Sequence, residues 1–158
     1  MLSEPDHRSR MNERFPLLFA VALLLAPDGY PQIPEVAESH IAANVPEAKD
    51  FRSFLIRDLT THLKPKLGEG ITVDYELLRD GPTQTGLAYP KFYVWVTVTK
   101  PDKSVVDGAA RLAAIDGKKF QVTTFVSRSE ILAQPQALAS VFPQLLLDKI
   151  RTKAGVKQ

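Results

Sequence analysis

Phe92-Tyr93-Val94-Trp95-Val96-Thr97-Val98-Thr99 is the stretch on which the fold turns. Every position in it is aromatic or β-branched, the side chains that fit a pleated, half-buried surface. On its C-terminal side Pro101-Asp102-Lys103 turns the chain, a third strand runs from Val105 to about Ala114, Asp116-Gly117 turns it again, and a fourth runs from Phe120 to Val126. On its N-terminal side Ile71, Val73, Tyr75 and Leu77 alternate with Thr72, Asp74 and Glu76, and the polar loop Asp80–Gly86 joins this first strand to the second. Four consecutive strands, joined by one longer loop and two short turns, predict an antiparallel sheet.

The register of each hairpin decides which side chains share a face, because a slip of one residue exchanges the two faces. A three-residue turn with Gly117 in the left-handed position pairs Ala114 with Lys118, Leu112 with Phe120 and Ala110 with Val122. A two-residue turn at Asp116-Gly117 would mix polar and apolar faces instead. Across Pro101-Asp102-Lys103 the same burial argument pairs Val98 with Val106, Val94 with Ala110 and Phe92 with Leu112. One face then carries Phe92, Val94, Val96, Val98, Val106, Ala110, Leu112, Phe120, Val122 and Val126. The other is aromatic and polar: Tyr93, Arg111 and Gln121 form one cross-strand row, Trp95, Ala109 and Thr123 the next, with Asp107 and Phe125 beside them.

Helices flank the sheet. Pro46 stands at the start of one, Glu47 and Asp50 lie in its first turns where carboxylates complement the dipole, and Phe51, Phe54, Leu55, Leu59 and Leu63 form an apolar stripe. Pro65 and Gly68 are expected to end it. After the fourth strand, Ser127 or Ser129 can cap a short turn. Leu138, Val141, Phe142, Leu145, Leu146 and Ile150 predict a second helix up to Arg151, kinked or broken at Pro143. The fold class is therefore α+β, a curved four-stranded antiparallel sheet packed by an N-terminal helix and a C-terminal helix, within a domain spanning 47–154. Residues 27–46 contain four prolines and read as a linker or irregular wrap, with a short helix over 35–44.

Residues 1–26 read as a leader. Three arginines precede an apolar run of 12 residues, Phe15 to Ala26, which is shorter than the ~20 needed to span a bilayer. A basic flank before such a run is the pattern of an export signal, with the true start at Met1 or Met11. Pro27 and Leu24 make a poor cleavage site. Two readings stay open: an exported or anchored protein, periplasmic or secreted and associated with the membrane through residues 15–26, or a cytoplasmic protein whose run joins the core.

The composition narrows the chemistry. The chain has 158 residues, no cysteine, three scattered histidines and a formal net charge of +2. Thiol nucleophiles and thiolate metal sites are excluded, a histidine metal centre and a nucleic-acid partner are not expected, and no cofactor-binding motif is present. Asp58 and His62 share a side of the helix, and Asp74 and Glu76 share a strand face, but neither pair points beyond a charged surface. The candidate site is thus the aromatic–polar face, with Tyr93, Trp95, Arg111, Gln121, Thr123 and Asp107 binding a ligand or partner, and Arg111 long enough to lie over a ring.

The order helix, four antiparallel strands, helix over residues 47–152 resembles cystatin-like and NTF2-like cone folds. It also resembles the periplasmic domain of VirB8-type secretion components, which joins such a domain to an N-terminal hydrophobic segment. The resemblance is one of element order and carries no functional residue across. It implies a non-enzymatic exported or membrane-associated domain that binds another protein, in an envelope or secretion assembly. The alternative is a small-ligand binding protein, or an isomerase- or hydratase-like enzyme, using the aromatic–polar face.

Overall fold

A computed structural model describes residues 33–85 and 88–156; the run 15–26 and the choice between Met1 and Met11 lie outside them. Strand β2 (Lys91–Thr99) is the longer of the two strands that follow the N-terminal helices, and it is buried at five successive positions, Phe92 to Val96. That pattern belongs to a central strand covered on both faces. The sheet order is β1-β2-β3-β4, with β1 at Thr72–Leu77, β3 at Val105–Ile115 and β4 at Lys119–Ser127, all antiparallel. The protein is α+β, with α1 (Ile33–Asn44) and α2 (Ala48–Leu67) before the strands and α3 (Arg128–Ala133), a 3-10 segment (Pro135–Ser140) and α4 (Gln144–Ala154) after them.

The β2–β3 register is the one expected, with Phe92 opposite Leu112, Val94 opposite Ala110 and Val98 opposite Val106. The β3–β4 register is not. Ile115 faces Lys119, Ala114 faces Phe120 and Leu112 faces Val122. The loop is still three residues long, but it is Asp116-Gly117-Lys118, because Asp116 (φ 54°) and Gly117 (φ 62°) both adopt left-handed backbone and close the turn from Lys118 N–H to the Ile115 carbonyl at 3.2 Å. A bulge between Arg111 and Leu112 then adds one residue to β4, so that Arg111 faces Thr124, Ala110 faces Phe125 and Ala109 faces Val126. The bulge exchanges the faces of β4 partway along. Phe125 joins the aliphatic face and Val126 the aromatic one, the reverse of the expectation from sequence.

Each face has its own helical cover. Leu55, Leu59 and Leu63 of α2 pack on Val73, Phe92, Val94, Val96, Val98, Ala110, Leu112, Ala114 and Phe120. Phe51, Phe92 and Phe120 meet edge to face, with ring centres 5.0–5.7 Å apart. α2 runs through Pro65 to Leu67 and stops at Gly68 (φ 97°), whose N–H bonds the Lys64 carbonyl. Pro65 does not end it: its missing N–H costs only the one bond that the Thr61 carbonyl would accept, and the helix has two residues left to run. The other face is covered by Ile131 of α3, by Leu138 and Phe142, and by Leu146, Leu147, Ile150 and Ala154 of α4. The C-terminal helix is broken at Pro143, which stands at the N-cap of α4.

The stretch read as a linker contains α1, and its end is fastened to the β3–β4 turn. Asn44, buried, accepts from the Asp116 N–H through Oδ1 (3.2 Å), and its main-chain carbonyl accepts from Gly117 N–H (2.9 Å).

Candidate functional site

The aromatic–polar face is a packed layer. Tyr93 and Trp95 are each 5% exposed under the C-terminal helices. Tyr93 lies against Phe142 and hydrogen-bonds Thr83 at 3.1 Å through its hydroxyl. Two cations lie over the Trp95 ring, Arg128 and Lys153, at 5.7 and 5.9 Å from its centre. Arg128 pairs with Asp107, and Lys153 reaches Glu76 at 2.6 Å. That contact holds the Glu76 carboxyl below its ordinary range. The cations over the ring thus come from α3 and α4, which no strand-register argument could place.

Arg111 takes a different role. Its Nε donates to Thr123 Oγ1 (3.0 Å), its Nη1 donates to the Val141 carbonyl (3.1 Å), and the Thr123 hydroxyl donates back to the Arg111 carbonyl (3.0 Å). The arginine therefore pins the β4 bulge and ties it to the C-terminal layer. Gln121 stands opposite Ala113, exposed on β4, and shares no row with Tyr93 and Arg111. Thr123 is the bulge residue and shares no row with Trp95 and Ala109. The six residues thus separate into three places: Tyr93 and Trp95 in the core under the C-terminal helices, with Asp107 reaching Trp95 through Arg128; Arg111 with Thr123 at the bulge; and Gln121 farther along the edge strand.

Beside Val141 the surface opens. Val126 of β4, Glu130 and Ala133 of α3, Gln134, and Ala137, Leu138, Ser140 and Val141 line a half-open cavity of about 360 Å³. Its lining is mostly small and aliphatic, with Glu130, Gln134 and Ser140 as polar members. The wall from α3 is held by a capping box: Ser127 Oγ accepts from Glu130 N–H, and Glu130 Oε2 accepts from the Ser127 N–H and hydroxyl, each at 2.7 Å. Those two donors lower the Glu130 pKa, the hydroxyl first. A second recess of about 390 Å³ lies between Arg79, Asp80, Pro143, Leu145 and Leu146. Sequence reasoning missed the first cavity, because an Ala-containing segment carries no periodic signal and its walls come from three elements.

Among the described residues no group of three or more His, Asp or Glu stands close enough to hold a metal ion, and no helix is long and apolar enough to cross a membrane. Asp58 does not pair with His62. It accepts from the Phe120 N–H at 2.6 Å and from Arg57 Nε at 2.8 Å. Compared with family models, curated proteins and solved structures, the chain matches none of them.

Proposed function

We propose that this is a non-enzymatic, exported or membrane-associated domain that binds another protein, by taking a short apolar segment of it into the cavity between β4, α3 and the 3-10 segment. The cavity carries the reading. A volume of about 360 Å³ is at the small end of the range for ligand sites, and the opening on one side admits a side chain that stays attached to its own backbone. The wall of Ala133, Ala137, Leu138 and Val141 suits an aliphatic anchor, and Gln134 and Ser140 at the rim suit the main chain that carries it. The packing of Tyr93 and Trp95 against the helices favours this over a ligand site on the sheet. Export or anchoring rests on the basic flank and apolar run of residues 8–26.

A photo-crosslinking residue at Ala137 in cells is expected to give one discrete adduct, and Ala133→Trp, which fills the cavity, is expected to abolish it. The same residue at Lys103, in the β2–β3 turn, is expected to give none. Adducts that persist with Ala133→Trp, or that are equal at both positions, refute the cavity as the binding site. Recovery of the intact N-terminus in the soluble cytosol refutes the export part alone.

A further inference from the structure

Four of the eight glycines follow an aspartate: Asp28-Gly29, Asp80-Gly81, Asp107-Gly108 and Asp116-Gly117. Such a pair can close a ring on itself, because glycine carries no Cβ to obstruct its own nitrogen. The glycine nitrogen loses its proton and attacks the side-chain carboxyl carbon of the aspartate. That proton and the carboxyl hydroxyl leave together as water, and a five-membered succinimide forms. Water then reopens the ring. Opening at the side-chain carbonyl restores aspartate. Opening at the main-chain carbonyl gives isoaspartate, in which the chain runs through the β-carbon and the α-carboxylate is free. The attack needs a glycine N–H without a hydrogen-bond partner and a carboxylate free to swing onto it.

Asp28-Gly29 lies outside the described residues, and two of the other three pairs are held. Gly117 donates its N–H to the Asn44 carbonyl at 2.9 Å, and Asp116 donates its own to Asn44 Oδ1 at 3.2 Å. Gly108 stands opposite Val96 and shares the alternation of Ala114, whose N–H bonds the Pro90 carbonyl. The Gly108 N–H is therefore spent in the β2–β3 ladder. The carboxylate beside it, Asp107, is paired with Arg128.

Asp80-Gly81 differs on both counts. Both residues are exposed in the loop after β1, and among the described residues neither the Asp80 carboxylate nor the Gly81 N–H has a hydrogen-bond partner. Gly81 has φ 69°, so the loop itself favours the residue that leaves this nitrogen unobstructed. Arg79 adds a charge at the reacting peptide unit. Its Nε donates to the Asp80 carbonyl at 3.4 Å. That carbonyl oxygen takes up negative charge when the Gly81 nitrogen loses its proton, and a guanidinium beside it favours the attacking form.

We infer that Asp80-Gly81 is a site of spontaneous isoaspartate formation promoted by Arg79, and that the fold protects the pairs at 107 and 116. The product adds one carbon to the main chain in the wall of the recess lined by Pro143, Leu145 and Leu146, and re-aims the carboxylate there. Aged protein is then a mixture of two forms of that recess. The inference is independent of the cavity reading.

The test is peptide mapping of the full-length chain aged at neutral pH, folded or in urea. Isoaspartyl peptides are recognised by unchanged mass and altered retention. In the folded chain Asp80 is expected to stay within about threefold of its rate in urea, while Asp107 and Asp116 fall at least about tenfold below theirs, since their glycine N–H groups are freed only by local opening. Arg79→Gln keeps a donor and loses the charge, and is expected to slow the reaction at Asp80 by about two- to fivefold. In the unsubstituted protein the Gly81 amide is expected to exchange hydrogen faster than those of Gly108 and Gly117. A folded rate at Asp80 as low as at Asp107 or Asp116 overturns the proposal. So does a Gly81 amide that exchanges as slowly as the other two. An unchanged rate in Arg79→Gln overturns the role of the arginine.

Discussion

Gly108 of β3 stands opposite Ser127 of β4. A Cβ built there lies 2.3 Å from the Val126 carbonyl oxygen and 2.8 Å from Ser127 Cα, both backbone atoms that cannot swing aside. Gly108→Ala must therefore push the strands apart, and we expect a loss of about 1–3 kcal/mol or more in urea unfolding. Nothing in the apolar pattern around Val105–Ala114 marks this glycine, because the crowding comes from a strand 18 residues onward whose register depends on the bulge. Asn44 is the second such residue. It is 6% exposed and bonds His40 and the β3–β4 turn through its side chain. Asn44→Ala leaves the Asp116 N–H without its acceptor and is expected to cost about 1–3 kcal/mol by the same measurement.

Among the elements, α3 is short and depends on its cap. Ser127→Ala removes the hydroxyl that accepts from the Glu130 N–H and donates to its carboxylate, keeps the main-chain N–H bond to Glu130, and is expected to destabilise the protein by about 1 kcal/mol. The sign of the pH effect follows from Glu130. Its carboxyl is held below its unfolded value by the Ser127 hydroxyl and N–H. The resulting stability is present above the unfolded pKa and disappears as pH falls through the lower folded one. Stability measured from pH 6 down to about 3 should fall less steeply in Ser127→Ala than in the unsubstituted protein. The bulge of β4 is the other element-scale device. Arg111 binds it through Thr123 and binds the C-terminal layer through Val141. Arg111→Met keeps most of the stem packing and loses both bonds. We expect faster hydrogen exchange at residues 122–125 and 141–142 together.

Across the whole molecule, one sheet is shared by two cores. Leu55, Leu59 and Leu63 close one, and Leu147 and Ile150 close the other. Leu147→Ala removes a side chain that is 1% exposed and is expected to cost about 2–5 kcal/mol. Trp95 is the only tryptophan and lies in that second core, so its fluorescence reports on the C-terminal layer. A red shift that coincides with loss of helical circular dichroism would show the two cores unfolding as one unit.

The strands, their order and the β2–β3 register were legible in the sequence, because period-two alternation and turn residues are local signals that report the pleat directly. So were the α2 stripe, the Ser127 cap and the break at Pro143, each set by the chemistry of one or two residues. The β3–β4 register was not, since a bulge is decided by what Arg111 and Thr123 can bond and not by alternation. Nor was the fate of Tyr93, Trp95 and Asp107. The strand pattern grouped Tyr93 and Trp95 on a face with polar neighbours, and that much holds. Whether such a face meets water depends on helices 30 to 60 residues away, whose apolar stripes bury it and whose Arg128 and Lys153 take up its charges. The cavity and the bond from the Phe120 N–H to Asp58 arise the same way, from elements distant in sequence that only the folded chain brings together.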